Sequence, residues 1–147
     1  MITIQNKKNT VLIDKKQLRS DAQKILNLLD YADFELTILL TNNATIQKYN
    51  RDYRNKDVPT DILSFPFHEI QPGQRIVAKT EDDKNVGDLI ISVEYVQKLY
   101  PDNLYERMQT LLVHGICHLL GHDHDTEKTD KEMLELEDHL LTELQKK

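Results

Sequence analysis

Four of the chain's six histidines fall within the eleven residues 114–124, and their spacing constrains the fold more than any other feature of the sequence. The pattern H-x-x-x-H-x-x-G-x-x-H is formed by His114, His118, Gly121 and His124. The nine residues before it contain neither Pro nor Gly, and apolar residues recur there at intervals of three and four, which predicts a helix. His114 and His118 then lie on one helix face, where two imidazoles can share a metal ion.

His122 and His124 compete to be the third ligand. On a straight helix His122 would lie about 12 Å along the axis from His114, at ~1.5 Å per residue, whereas zinc–nitrogen bonds are only about 2 Å long. A straight helix therefore cannot deliver three ligands. Gly121 just past the helix end favours a left-handed turn that reverses the chain and returns His124 to the ion. We predict His114, His118 and His124 as the metal ligands, with His122 facing elsewhere.

Three neighbouring side chains offer alternative ligand atoms. A lone histidine on a helix is usually an exposed residue or a hydrogen-bonded core residue, so the prediction depends on the combined spacing. Asp123 and Asp125 fit better as turn residues or as acceptors for an imidazole N–H. Cys117 lies off the ligand face, and the role of a small buried hydrophobe suits it better.

The same spacing defines the metzincin peptidases, in which a glutamate follows the first histidine and acts as general base. That position is Gly115 in this chain. Three protein ligands leave one position open for water or substrate, which is typical of catalytic rather than structural zinc sites. The motif therefore indicates a hydrolytic metal site and argues against a standard peptidase.

Length and composition predict one soluble globular domain spanning residues 1–147. The chain is 39% hydrophobic and 30% charged. No apolar run approaches the ~20 residues needed to cross a membrane, and the first residues lack the apolar segment of a signal peptide. The single cysteine excludes an internal disulfide and fits a reducing cytoplasm, which is the expected location.

The net charge of −6 is unusual for a nucleic-acid binder, which is expected to present a basic face. Basic residues nevertheless cluster in two groups: Lys7, Lys8, Lys15, Lys16 and Arg19, and then Arg51, Arg54 and Lys56. Ordinary solvated surface is the simpler interpretation of the first group.

Periodicity and turn residues predict the order β-α-β-α-β-β followed by three helices. The predicted strands are 2–5, 34–40, 61–65 and 86–92, and the predicted helices begin after Asp14, at 44, at 93, before the histidine motif and at Thr129. Asp14 with Gln17, and Thr129 with Glu132, resemble helix caps with a partner three residues later. Pro66 ends the third strand or places it at a sheet edge.

This order predicts an α+β fold in which a small mixed sheet of about four strands is covered by helices. The metal motif would occupy the C-terminal end of one helix and the turn after it, in the metzincin-like spacing H-x3-H-x5-H.

Three blocks of the sequence together resemble the YbeY family of bacterial endoribonucleases and rRNA maturation factors. They are residues 50–66 (NRDYRNKDVPTDILSFP), 87–92 (GDLIIS) and 114–124 (HGICHLLGHDH), and they occur in the family's order and spacing. Gly115 is part of the family pattern. Two departures are Tyr49, where the family usually has Leu, and His122, where Tyr is common.

The resemblance implies a zinc-dependent enzyme that cuts single-stranded RNA and acts in rRNA maturation, including 16S rRNA 3′-end processing, and in ribosome quality control. It implies one Zn²⁺ held by His114, His118 and His124, rRNA as substrate, and the ribosome or ribosomal proteins as partners. Arg54 matches the family's functionally important arginine and is the predicted catalytic residue, because a guanidinium stays charged and binds phosphate oxygens through paired hydrogen bonds.

Several alternatives remain open at this point. In one alternative, Arg54 pairs with Asp57 or Asp61 and fixes the loop instead of binding phosphate. Asp61, Ser64 and Asp88 are expected to have structural or supporting roles rather than catalytic ones. The attacking group is either water or the RNA 2′-hydroxyl. The rival functions are hydrolysis of another substrate, such as a peptide, and a non-catalytic ribosome-assembly role with structural zinc.

Overall fold

A computed structural model of the chain describes residues 1–146, in which four strands and five α-helices follow in the predicted order. The elements are β1 (Ile2–Asn6), α1 (Lys15–Leu28), β2 (Glu35–Thr41), α2 (Asn43–Arg54), β3 (Ile62–Pro66), β4 (Asn85–Ser92), α3 (Val93–Leu99), α4 (Leu104–Leu119) and α5 (Glu127–Gln145). A short 3-10 turn (Glu81–Asp83) precedes β4. Within this described part of the chain, no helix is both long and apolar enough to cross a membrane.

The four strands form one mixed sheet in the order β1-β2-β4-β3. β1, β2 and β4 are parallel, and β3 pairs antiparallel with β4 at the sheet edge. Pro66 is the last residue of this edge strand, where a missing backbone N–H costs little. The predicted α+β fold with a small mixed sheet is confirmed.

The two faces of the sheet are covered unequally. Alternate residues of β2 and β4, among them Leu36, Ile38, Leu89 and Ile91, are fully buried in the main core beneath α1 and α4. α5 packs outside these two helices. On the opposite face, α2 forms only a small second core through Ile46, Leu63 and Ile90. Part of that face therefore remains accessible beside α2.

α1 and α5 both begin with side-chain caps. The Asp14 carboxylate accepts from the Gln17 N–H at 3.1 Å, as predicted, although the Gln17 amide donates forward to Asp21 rather than back to the cap. The predicted start of the last helix at Thr129 is wrong. Thr126 is the N-cap, and Thr129 lies inside the helix.

The physical reason is that threonine can take the place of glutamate in the capping box. The Thr126 hydroxyl accepts from the Thr129 N–H at 3.1 Å, and the Thr129 hydroxyl accepts from the Thr126 N–H at 3.0 Å. The pair thus satisfies two N–H groups at the helix start reciprocally. Glu132 has no role in this cap.

α4 ends in a turn that reverses the chain. The Gly121 N–H donates to the His118 carbonyl and the His122 N–H to the Cys117 carbonyl, each at 3.1 Å, which is the Schellman arrangement of hydrogen bonds. Gly121 has a φ of +91°, and a Cβ there would overlap the carbonyl oxygen of Ile70. The turn is therefore seated against the backbone of the segment that follows β3.

We expect Gly121→Ala to lower the free energy of unfolding by about 3 kcal/mol or more, because left-handed strain and a backbone clash add. Gly73→Ala is the matched control, since Gly73 also has a positive φ (+84°) but no atom lies within 4 Å of its Cβ position. It should lose only about 1–2 kcal/mol. Denaturant unfolding in the presence of a chelator measures both, and equal losses would show that the contact with Ile70 contributes nothing.

Candidate metal centre

The structure brings together the three histidines predicted as ligands. His114 and His118 lie one turn apart on α4, and the Gly121 turn returns His124 to them. The Nε2 atoms of His114 and His118 are 3.0 Å apart. One ligand atom from each of the three imidazoles lies within 4.8 Å of the other two, so the cluster can hold a metal ion.

Each of these rings is held through its other nitrogen. His118 Nδ1 lies 2.8 Å from the His122 carbonyl oxygen, and His114 Nδ1 lies 3.3 Å from Glu137 Oε2. His124 Nδ1 is hydrogen-bonded to the Asp130 carboxylate. Because a carbonyl or carboxylate oxygen accepts, each Nδ1 donates, and the Nε2 lone pairs are left for a common ligand.

This arrangement fits a divalent cation of the first transition row. With both Nδ1 atoms donating, the Nε2 atoms of His114 and His118 are two acceptors 3.0 Å apart, and they repel unless a cation or a proton lies between them. Three imidazole nitrogens suit zinc and several related ions. The donor set therefore matches the group that the sequence motif implied.

The electrostatics favour a neutral His118 imidazole at the centre. Burial lowers the pKa of His118, and the neighbouring His114 lowers this pKa further. Metal binding requires the neutral ring, so the lowered pKa favours the form that can act as a ligand.

His122 contributes its carbonyl group rather than its ring to this arrangement. Its ring lies outside the three-histidine cluster, and burial lowers its pKa. Its Nδ1 atom is buried without a hydrogen-bond partner in residues 1–146. The backbone of His122 nevertheless orients the His118 ring.

Glu137 and Asp130, which hold two of the rings, were missed in the sequence analysis. Both lie on α5, seven residues apart, on the face that also carries the buried Met133 and Leu140. The Glu137 side chain is only 13% exposed. Glu137 is a carboxylate at a position where the helical spacing of the buried Met133 and Leu140 predicts an apolar residue. That exception is the signal that could have identified it from the sequence.

Two other predictions about the motif agree with the structure. Cys117 is fully buried, and burial raises the pKa of its thiol to about 12, so it behaves as a small hydrophobe. Gly115 is buried against the sheet, where a Cβ would lie 2.8 Å from Ile62 Cδ1 and from Leu89 Cδ2. The position of the peptidase glutamate therefore faces strands rather than the metal cluster.

Asp123 and Asp125 shape the turn. The Asp123 carboxylate accepts from the Asp125 N–H at 3.1 Å. Hydrogen bonding to the Thr129 side chain, and then to the Asp125 amide, lowers the pKa of Asp123. The imidazole-orienting role belongs to Asp130 and Glu137 instead.

A groove of about 580 Å³ joins the histidine cluster to Arg54. Its walls are His114 and His118 on one side, residues 60–65 along β3, and Tyr53 with Arg54 at the end of α2. Asn55, in the left-handed conformation with a φ of +59°, ends α2. Arg54 is exposed and lines this groove.

The alternative role for Arg54, pairing with Asp57 or Asp61, is not what the structure shows. Asp61 Oδ1 accepts from the Ile62 N–H at 2.7 Å, and Asp57 Oδ1 accepts from Gln47 at 3.0 Å. Across residues 1–146, Arg54 forms no ion pair. Its guanidinium is therefore available to an anionic ligand.

The three residues expected to have supporting roles lie at different places. Asp61 fixes the start of β3 through its own bonds. Ser64 lines the groove. Asp88 lies in a second cavity, on the accessible face of the sheet.

Comparison with known proteins agrees with this architecture. The family described as Endoribonuclease YbeY matches residues 3–145. A human protein named Endoribonuclease YbeY is 38% identical over 146 residues, which cover 97% of this chain and 87% of that protein. Its namesake from Borreliella burgdorferi (strain ZS7) is 40% identical over 123 residues, covering 81% of this chain and 79% of the relative.

The fold also matches a solved structure. The solution structure of TM1509 from Thermotoga maritima superposes with a TM-score of 0.63 and 24% identity, covering 98% of this chain and 89% of the other. That likeness concerns the fold alone, whereas the family match extends over almost the whole sequence. The chain belongs to the YbeY family of endoribonucleases.

Proposed function

We propose that the chain is a single-domain, zinc-dependent endoribonuclease that cleaves single-stranded RNA during rRNA maturation, including 16S rRNA 3′-end processing, and in ribosome quality control. The proposal rests on one observation, which is that His114, His118 and Arg54 line the same groove. A cation site and a free guanidinium in one groove suit a phosphodiester, which carries one negative charge at the reacting centre. The ribosome or its proteins are the proposed partners, and the cytoplasm is the proposed location.

His114, His118 and His124 are the proposed ligands of one ion. Three protein ligands leave a coordination position open for substrate or water. When bound, such a cation polarises a phosphate oxygen and acidifies water. Glu137, Asp130 and the His122 carbonyl keep the three Nε2 atoms directed at the ion by holding each Nδ1–H.

Arg54 is the proposed phosphate-binding catalytic residue. It is the last residue of α2, so the helix backbone fixes the direction of the Cα–Cβ bond of Arg54. Its planar guanidinium can donate two parallel hydrogen bonds to the scissile phosphate and stabilise the charge that grows in the transition state.

Within residues 1–146, no carboxylate that lines the groove is free of intramolecular hydrogen bonds. Among the described residues that line it, Asp61 is the only carboxylate, and its Oδ1 is already engaged by the Ile62 N–H and the Thr60 hydroxyl. The attacking group is then water or the 2′-hydroxyl of the RNA. Mapping the product ends distinguishes them, because a 2′,3′-cyclic phosphate identifies attack by the 2′-hydroxyl.

We expect the wild type to bind about one zinc ion per chain, and His114→Ala, His118→Ala or His124→Ala to abolish stoichiometric binding. His139→Ala is the control, because His139 is exposed on α5 outside the cluster. Elemental analysis after purification without added metal measures the content. Full zinc content in His124→Ala would contradict the proposed ligand set.

Glu137→Gln and Asp130→Asn should each weaken zinc affinity about 10- to 100-fold while leaving the three ligands in place. Glu135→Gln on the same helix is the control, since Glu135 is exposed and only approaches Lys131 at 3.9 Å. Competition with a chromogenic chelator measures the affinities. Unchanged affinity in both test variants would show that the carboxylates do not support the ligands.

Arg54→Ala should retain zinc but lower the rate of RNA cleavage about 100- to 1,000-fold, because an electrostatic donor to the transition state is removed. Arg51→Ala is the matched control from the same helix, where Arg51 pairs with Asp52 at 3.2 Å and lies outside the groove. Single-turnover cleavage of a labelled single-stranded rRNA fragment measures the rates. Cleavage that persists in His114→Ala or in chelator would instead support a structural zinc.

A further inference from the structure

A second cavity, of about 350 Å³, lies between α2 and the accessible face of the sheet. Tyr53 and Phe65 line both this cavity and the groove with the histidines. The two spaces are thus neighbours that share aromatic walls. Neither the metal cluster nor Arg54 accounts for the second one.

Aromatic rings with accessible surface form one wall. Tyr49 and Tyr53 stack with ring centroids 6.2 Å apart and an interplanar angle of 15°. Phe65 meets Tyr53 edge-on at 5.3 Å. Tyr53 is 67% exposed although it stands at the junction of the two spaces. An exposed ring that contacts two other aromatic rings beside a groove is the kind of platform on which unpaired nucleobases stack.

The floor of the cavity belongs to the sheet and carries polar groups among the apolar Leu39, Leu89 and Ile90. Strand register places Thr37 opposite Asp88 and Asp88 opposite Phe65, so these three residues form a row across β2, β4 and β3. Gln5 of β1 lines the same cavity. The hydroxyl, amide and carboxylate groups can form hydrogen bonds with the edge of a planar, polar ligand, and the aromatic rings can stack on its face.

The charge of Asp88 decides which part of a nucleic acid suits this cavity. A carboxylate repels phosphate but accepts hydrogen bonds from base amino and imino groups. Guanine presents two such donors side by side on its Watson–Crick edge, whereas uracil presents one. The cavity is therefore complementary to a base, and to guanine better than to uracil.

Basic residues continue the path beyond the aromatic wall. Tyr49 and Tyr53 also border a shallow depression that is lined by Lys8 and Lys48, both exposed. Asp52 borders it as well. Two lysines on the far side of the cavity and Arg54 on the near side provide cations for the phosphates that flank a bound base.

We propose that this cavity binds one nucleobase of the RNA strand held at Arg54, with the base stacked on Tyr53 and its edge hydrogen-bonded to Asp88. This inference rests on the proposed RNA-cleaving function. It adds a base subsite, and hence a sequence preference for guanine next to the scissile phosphate.

Binding is tested separately from cleavage, using the purified protein with its metal and 2′-O-methyl RNA octamers, either all uridine or with one central guanosine, whose length is checked after the titration. The chain contains no tryptophan, so Tyr53→Trp is a single reporter that keeps an aromatic ring. Its fluorescence should be quenched as an octamer binds. Leu99→Trp, exposed at the end of α3, is the control and should not respond.

Removing the ring tests the energy of the contact. Tyr53→Ala should weaken octamer binding about 5- to 150-fold, with Tyr53→Phe near wild type. The salt dependence of octamer binding should be unchanged in Tyr53→Ala. In Arg54→Ala, the magnitude of the slope of log K against log[salt] should decrease by about 0.7–1. Thermal unfolding of each variant checks that the fold is retained.

Replacing the carboxylate tests base recognition. The wild type should bind the guanosine-containing octamer at least about fivefold more tightly than the uridine octamer, and Asp88→Asn should lose this preference. Unquenched fluorescence of the Tyr53→Trp variant in a bound complex, or wild-type affinity in Tyr53→Ala, would overturn the base subsite.

The outcomes separate the two proposals. If the wild type cuts RNA and Arg54→Ala does not, but Tyr53→Ala and Asp88→Asn behave as wild type, only the base subsite fails. If the wild type neither binds nor cuts RNA, the proposed function fails and the base subsite fails with it.

Discussion

The reversal of the chain at Gly121 is the constraint on which the candidate site depends. A straight continuation of α4 would carry the residues after His118 away from it at ~1.5 Å per residue. The left-handed glycine and its two hydrogen bonds instead return His124 to the first two histidines. Because the turn presses on the backbone of Ile70, any side chain at Gly121 would displace the segment that follows β3 as well as His124.

α5 then fixes the orientation of the rings that the turn has assembled. The helix packs on α4 through buried residues such as Met133, and the same face presents Asp130 to His124 and Glu137 to His114. Hydrophobic packing between two helices is therefore also what aligns the imidazoles. A carboxylate such as Glu137, largely removed from water, is tolerated there because it accepts a hydrogen bond from the His114 ring.

The parts of this structure that sequence predicted are those set by local spacing. The i, i+4 histidines, the glycine turn and the alternation in β2 each depend on a few neighbouring residues, so they led to the histidine cluster, the order of elements and the mixed sheet. Glu137 and Asp130 escaped because their role arises only when α5 docks on α4. Thr129 was assigned wrongly because two threonines three residues apart can each cap a helix, and only the observed hydrogen bonds show that Thr126 does.

Because β3 is an edge strand, the proposed RNA site has two parts that border it, the groove with the histidines and the second cavity. A central strand would have neighbours on both sides, but β3 has only β4, so its free side borders the groove of the histidines while Phe65 faces the second cavity. Tyr53 and Arg54 are consecutive on α2 and therefore about 100° apart around its axis. In the proposed complex, one helix end thus sets the distance between a stacked base and its phosphate. Regular secondary structure holds this spacing more rigidly than a loop would, which suits the proposed placement of one particular phosphate beside the histidine cluster.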